Sequence, residues 1–315
     1  MAKEVKKRPK PAAAAGSRVR KLTKKQARGK VKKEVKTRAP LPGSFRLSGR
    51  VAKFLTGNWK LLGGIVLVYL ILNIIFASGV SNVSSAFDNI KSDLSGAGGH
   101  AFWQAAGAFG SLVASAGASG SATGSALQSV LFVIESLVII WALRHLLAGQ
   151  VVSVKLAYYR SMTPLIPFLL VIAVIIIQLL PVTLGATVLA AVATSIFTNS
   201  SAATIISVVF FIALAAWSLY MVSASVFALY IVTLPETQPR QALRAAKDLV
   251  RFRRLTVLRK VFFLPVLILL AMAVIIVPLI LWASFAVPVA FYVLSMLAIL
   301  FVHAYFYSLY RSLLE

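Results

Sequence analysis

From Pro164 to Leu184 the chain reads PLIPFLLVIAVIIIQLLPVTL, 21 residues without a charged side chain. Wound as a helix, about 20 such residues cross the ~30 Å hydrocarbon core of a bilayer. A run that is apolar on every side leaves no polar face to turn toward water. Five further runs have the same character: Leu61 to Ala77, Ala126 to Leu147, Thr204 to Val232, Val261 to Trp282 and Val287 to Leu309. In lipid each backbone N–H and C=O must be satisfied within its own helix, so the six runs predict an all-α polytopic membrane bundle. The composition agrees, with 59% of the 315 residues hydrophobic and 13% charged.

Charge placement gives an orientation. Of 33 Lys and Arg, 20 lie in residues 1–60, and most others fall between alternate spans: Lys155 and Arg160 after the second, the 234–260 stretch after the fourth, Arg311 after the sixth. The segments assigned to the opposite side hold only Lys91. By the positive-inside rule both termini are expected in the cytoplasm, which an even number of spans requires. The nearly 60 residues before the first span are too long for a secretory signal, so that span is expected to be a signal anchor. Residues 1–40 combine Lys, Arg, Ala, Pro and Gly with almost no large apolar side chain, the composition of a disordered basic arm. Residues 41–60 interleave Phe45, Leu47, Val51, Phe54 and Trp59 with cations and are expected to lie at the headgroup level. The outside loop, 78–125, is expected to hold a short interfacial helix through Phe87, Ile90 and Leu94 and then a Gly-rich flexible or re-entrant segment. The uncharged stretch before the fourth span, ATVLAAVATSIFTNSSA, is read as dipping into the interface.

The most informative stretch is TQPRQALRAAKDLVRFRRLTVLRK, residues 237–260, with eight cations and one acid, Asp248. Arg240, Arg244, Lys247, Arg251 and Arg254 recur at spacings of four, three, four and three, which stacks them along one side of a helix. Ala242, Ala245, Ala246, Leu249, Val250 and Phe252 fall largely opposite, and Pro239 suits a first turn. A cytoplasmic amphipathic helix over about 239–258 is expected. Two readings stand: it binds anionic headgroups, together with Arg253, Arg259, Lys260, Lys155 and Arg160, or it is a topology determinant with a solvated face.

The segment around Leu234, Pro235 and Glu236, then Ala242, Leu243 and Arg244, then Leu249, Val250 and Arg251, resembles a bacterial family of six-span proteins of unknown function. That family is similar to the membrane domain attached to some glycerophosphodiester phosphodiesterases. The resemblance, weakly repeated around Lys155, Tyr158, Tyr159 and Arg160, covers roughly residues 45–312. It implies six spans in a bacterial inner membrane and no catalytic residue. The phosphodiesterase barrel has no counterpart in this sequence, and eight acids in all do not supply the carboxylate and histidine cluster of metal-assisted hydrolysis.

Few residues within spans can carry chemistry. Glu135 stands near the middle of the second, where an ionisable group costs about 2.5 to 3.5 kcal/mol to insert, so it is expected to face the bundle. It serves an ion or proton relay with His303, or it is a structural carboxyl hydrogen-bonded to Gln178, a serine or a tyrosine. His303 reads equally as a packed, hydrogen-bonded ring. Arg144 and His145 are expected to snorkel from the end of span two to headgroups. Trp59, Tyr158, Tyr159, Tyr305, Tyr307 and Tyr310 read as interfacial belts. Cysteine is absent, which removes disulfides and thiolate chemistry. There is no HExxH, Walker, GxSxG, kinase or dinucleotide signature. No metal or cofactor is expected.

The sequence thus points to a non-enzymatic membrane protein that organises membrane or partner proteins through basic cytoplasmic surfaces. A transporter or channel subunit using Glu135 is the alternative. The expected partners are anionic lipid headgroups and possible partner proteins. The basic arm lacks the interleaved aromatics of specific nucleic-acid binding.

Overall fold

The computed structural model describes residues 41–77, 122–196 and 201–314. Among them the chain forms helices α1 (Ser44–Gly57), α2 (Trp59–Ala77), α3 (Ala122–Leu147), α4 (Val154–Ser161), α5 (Leu165–Ile196), α6 (Ser201–Ile231), α7 (Pro239–Val250), α8 (Arg254–Trp282) and α9 (Val287–Leu314). No strand occurs among the described residues. Helices α2, α3, α5, α6, α8 and α9 are long and apolar enough to cross a membrane, which makes this an all-α, multi-pass membrane protein. The basic arm and the loop helix expected through Phe87 lie outside the described residues.

Pro42–Leu314 forms one compact unit, with α9 at its centre. Helix α9 packs against α1, α2, α3, α6, α7 and α8. It and α3 bury 44% of their spans, against 11% for α5 and 17% for α6, which pack mainly on each other. Buried Tyr305 of α9 donates to the Lys260 carbonyl (3.3 Å), and Phe45 of α1 meets Phe263 of α8 edge-on with centroids 4.8 Å apart. Helix α1 therefore sits beside the C-terminal half of α9, at the end of the bundle that also carries α4 and α7. That end, called here the basic end, holds Lys155, Arg160 and the 240–260 cations.

Local sequence explains the breaks. Helix α3 stops at Gly149, which adopts φ 74°, a left-handed conformation that costs glycine little. Gln150 N–H then returns to the His145 carbonyl and Gly149 N–H to Leu146, the paired bonds of a Schellman cap. Helix α4 is capped by the Ser153 hydroxyl, which accepts from Leu156 N–H (3.3 Å). Helices α8 and α9 form a tight hairpin, closed by a 3₁₀ turn, Ser284–Ala286, over a core of Met272, Ile276, Ile280, Val287 and Phe291.

Two boundaries differ from expectation. Helix α5 continues past Leu184 to Ile196, since its Ala-rich continuation has no breaker strong enough to end it. At 1.5 Å per residue its 32 residues span about 48 Å. At Gly185 an added Cβ would lie 2.5 Å from Leu214 Cδ1, so glycine permits the close approach of α6. The amphipathic helix also ends early, at Val250. Tight i to i−3 bonds, Arg251 N–H to Asp248 and Arg253 N–H to Val250, turn the chain into α8, which starts at Arg254.

Candidate functional site

Helix α7 divides cleanly. Ala242, Ala246 and Val250 are completely buried, and the helix packs mainly on α6 with further contacts to α5 and α9. Arg240, Arg244, Lys247 and Arg251 are exposed. Small side chains at i, i+4 and i+8 let α7 approach its neighbours closely, and the intervening positions then project the cations outward. Protein covers Ala242, Ala246 and Val250, while Leu249 is half-buried and Ala245 and Phe252 are exposed. Asp248 is exposed on the same helix, the one acid against these four cations.

The remaining expected surface cations fall into three groups. Lys155, Arg160 and Arg259 are exposed. Arg253 and Arg254 are half-buried, and the early end of α7 removes Arg254 from the row, leaving its guanidinium 4.8 Å from the Tyr220 ring centroid on α6. Lys260 is a correction: it is only 4% exposed, and its ammonium donates to the Pro42 carbonyl. It ties the start of α1 to α8 and is not available to headgroups. The turn at 251–253 rotates α8 relative to α7, which carries Lys260 inward.

Within the bundle, Glu135 is 1% exposed. The Tyr158 hydroxyl, from α4, lies 2.8 Å from Glu135 Oε2 and 3.1 Å from the Ile65 carbonyl oxygen of α2. One hydroxyl proton faces two acceptors. If Glu135 carries a proton, it donates to Tyr158, which donates to Ile65, and both bonds are complete. Burial holds the Tyr158 phenol far above its ordinary range, so it stays a donor. Tyr69 lies within electrostatic reach of Glu135, Tyr158 and Tyr292. Asn73, completely buried one turn beyond Tyr69, brings its amide toward that phenol without completing a hydrogen bond. Glu135 Oε1 and the Tyr292 hydroxyl are likewise buried without a hydrogen-bond partner among the described residues.

His303 belongs to a separate network. Its Nε2 lies 3.1 Å from Ser136 Oγ and its Nδ1 3.3 Å from the Tyr230 hydroxyl. The Ser136 hydroxyl donates to the Phe132 carbonyl (2.7 Å), so it accepts from His303 Nε2–H, while Nδ1 accepts from Tyr230. These bonds fix the tautomer and leave neither ring nitrogen open. Glu135 and Ser136 are neighbours in sequence but point about 100° apart on α3, which directs the two networks to different helices. The carboxyl and the imidazole expected to work together are thus held by different partners. Gln178, an alternative partner for Glu135, has its Oε1 buried without a partner among the described residues.

The expected aromatic belt divides too. Trp59 and Tyr159 are exposed, whereas Tyr305, Tyr307 and Tyr310 are buried inside the bundle, and Tyr158 serves Glu135. Arg144 does not snorkel outward: Nη1 donates to the Thr233 carbonyl (3.0 Å). His145 stacks on Trp141 at 3.8 Å between centroids, its Nδ1 2.8 Å from that residue's carbonyl oxygen. Residues that sequence reasoning did not single out, Tyr69, Asn73, Ser136, Tyr230 and Tyr292, complete the polar networks. Among the described residues no group of three or more His, Cys, Asp and Glu is arranged to hold a metal ion.

Comparison of the chain with protein-family models, with curated proteins and with solved structures finds no match to any of them.

Proposed function

We propose that this protein is a non-enzymatic membrane organiser whose basic end faces the cytoplasm and holds anionic lipid headgroups. The observation that carries the reading is α7: one face fixed against the bundle, the other presenting Arg240, Arg244, Lys247 and Arg251. A solvated topology signal needs charge but no fixed arrangement. Here the helix is anchored by Ala242, Ala246 and Val250, so the row keeps its spacing and no backbone ordering is needed on binding. Each cation near an anionic surface contributes about 1 kcal/mol. Partner proteins assemble on this lipid-holding face.

The test is thermal unfolding of the purified full chain in detergent with phosphatidylglycerol or phosphatidylcholine added. Stabilisation by the anionic lipid alone, reduced when Arg240, Arg244, Lys247 and Arg251 become Gln, is expected. Equal stabilisation by both lipids, or by both proteins, would contradict the proposal.

A second reading, a transporter, draws on the buried polar atoms around Glu135. Proteoliposomes decide it: proton or solute flux that disappears in Glu135→Gln establishes transport, and no flux in the native chain removes it.

A further inference from the structure

At the basic end a cavity of about 620 Å³ lies where α3, α5 and the α6–α7 loop meet. Its wall includes Arg144, His145 and Arg160, with Trp141, Pro164 and Leu234 supplying apolar surface. Arg144 is fixed from one side only. Nη1 is held by the Thr233 carbonyl, whereas Nη2 is buried with no hydrogen-bond partner among the described residues. Nη2 has no accessible surface, so Arg144 acts on an anion in the cavity through its charge and not through that nitrogen. Arg160 stands exposed at the same cavity, and the first turns of two helices border it, α5 through Thr163, Pro164 and Pro167 and α7 through Gln238 and Pro239. Gln238 makes no side-chain cap to α7. Pro164, Pro167 and Pro239 at these helix starts carry no N–H, so the cationic side chains are the site's donors.

We propose that this cavity binds a phosphoryl-bearing anion, with the exposed Arg160 as its principal contact and Arg144 as a second positive charge in the wall. Guanidinium groups match phosphate oxygens in fork geometry and are less strongly hydrated than lysine ammonium, which suits a partly apolar pocket. The volume is that of a small-ligand site, and the apolar wall leaves room for a glycerol or acyl portion next to the charged group. Glu236 also lines the cavity and opposes an anion. It is exposed and adopts φ 61°, a left-handed conformation uncommon for a residue with a side chain. Its carboxylate weakens the site without filling it, which gives the proposal a signature of opposite sign. The cavity stands on residues apart from the α7 row, so lipid binding by that row can fail while this site stands.

The test uses the full chain in detergent with two probes, inorganic phosphate by calorimetric titration and phosphatidic acid by native mass spectrometry. Saturable one-to-one binding is expected for at least one probe. It weakens roughly 10- to 100-fold in Arg160→Gln, the loss of one charge-assisted hydrogen bond, weakens less in Arg144→Gln, and tightens in Glu236→Gln. Binding of phosphate assigns the group to a soluble molecule; binding of phosphatidic acid without phosphate assigns it to a headgroup. Because Arg144 also holds the Thr233 carbonyl, the exposed Arg160 provides the deciding variant. Absence of saturable binding for both probes, or an Arg160→Gln affinity equal to the native one, overturns the proposal.

Discussion

Replacing Tyr158 with Phe removes one oxygen and tests how the bundle holds its buried acid. The lost hydroxyl lies 2.8 Å from Glu135 Oε2 and 3.1 Å from the Ile65 carbonyl, and Glu135 Oε1 has no hydrogen-bond partner among the described residues. The variant therefore leaves a carboxyl at 1% exposure with neither oxygen bonded. Stranding a buried polar group costs about 1 to 3 kcal/mol. Changing Glu135 to Leu removes the other partner, and the double variant lacks the stranded carboxyl altogether, so its loss should be smaller than the sum of the two single losses. Hydrogen bonds measured by such cycles within membranes average about 0.6 kcal/mol and reach about 1.7 kcal/mol, which brackets the expected coupling. Reversible unfolding of the four proteins in mixed detergent micelles gives the number. A coupling indistinguishable from zero would refute the pairing of α3 with α4 through these side chains.

Other parts of the fold make separate predictions. Gly185→Val drives a Cβ into Leu214 and should destabilise the α5–α6 pair by about 1 to 3 kcal/mol, with partial rescue by Leu214→Ala, read by thermal unfolding. Lys260→Met should raise amide exchange at the start of α1 while leaving anionic-lipid stabilisation unchanged, because its ammonium holds the Pro42 carbonyl and does not face headgroups. His303→Phe leaves the Tyr230 hydroxyl without its acceptor and should lower stability by about 1 to 3 kcal/mol, with no dependence on added zinc, since both ring nitrogens already have protein partners.

The spans were legible because their signal is length and apolarity, which lipid imposes on every helix alike. The same property hides helix rotation: a segment apolar on all sides carries no hydrophobic stripe to mark its inner face. The inner faces are marked instead by isolated polar residues such as Asn73, Ser136, Ser223 and Ser295, all buried. Tyrosines near span ends have one sequence signature whether their hydroxyls reach headgroups or a carboxyl, so Tyr158 and Tyr305 were assigned to a belt they do not join. Helix α7 was legible from its charge spacing as far as Val250. Its end was not, because the turn at Arg251–Arg253 contains neither glycine nor proline. Lys260 followed that error, since its direction depends on where the turn falls.

The account rests most heavily on the exposed row of α7. The direct measurement is the lipid composition retained around the full chain when polymer extracts it from its own membrane without detergent. Quantitative mass spectrometry would compare the native protein with the variant carrying Gln at 240, 244, 247 and 251. Anionic lipid enriched over the bulk membrane around the native chain, and reduced toward the bulk ratio in the variant, is the predicted result. A bulk ratio around both proteins, or equal enrichment in both, would contradict the claim that this helix holds anionic headgroups.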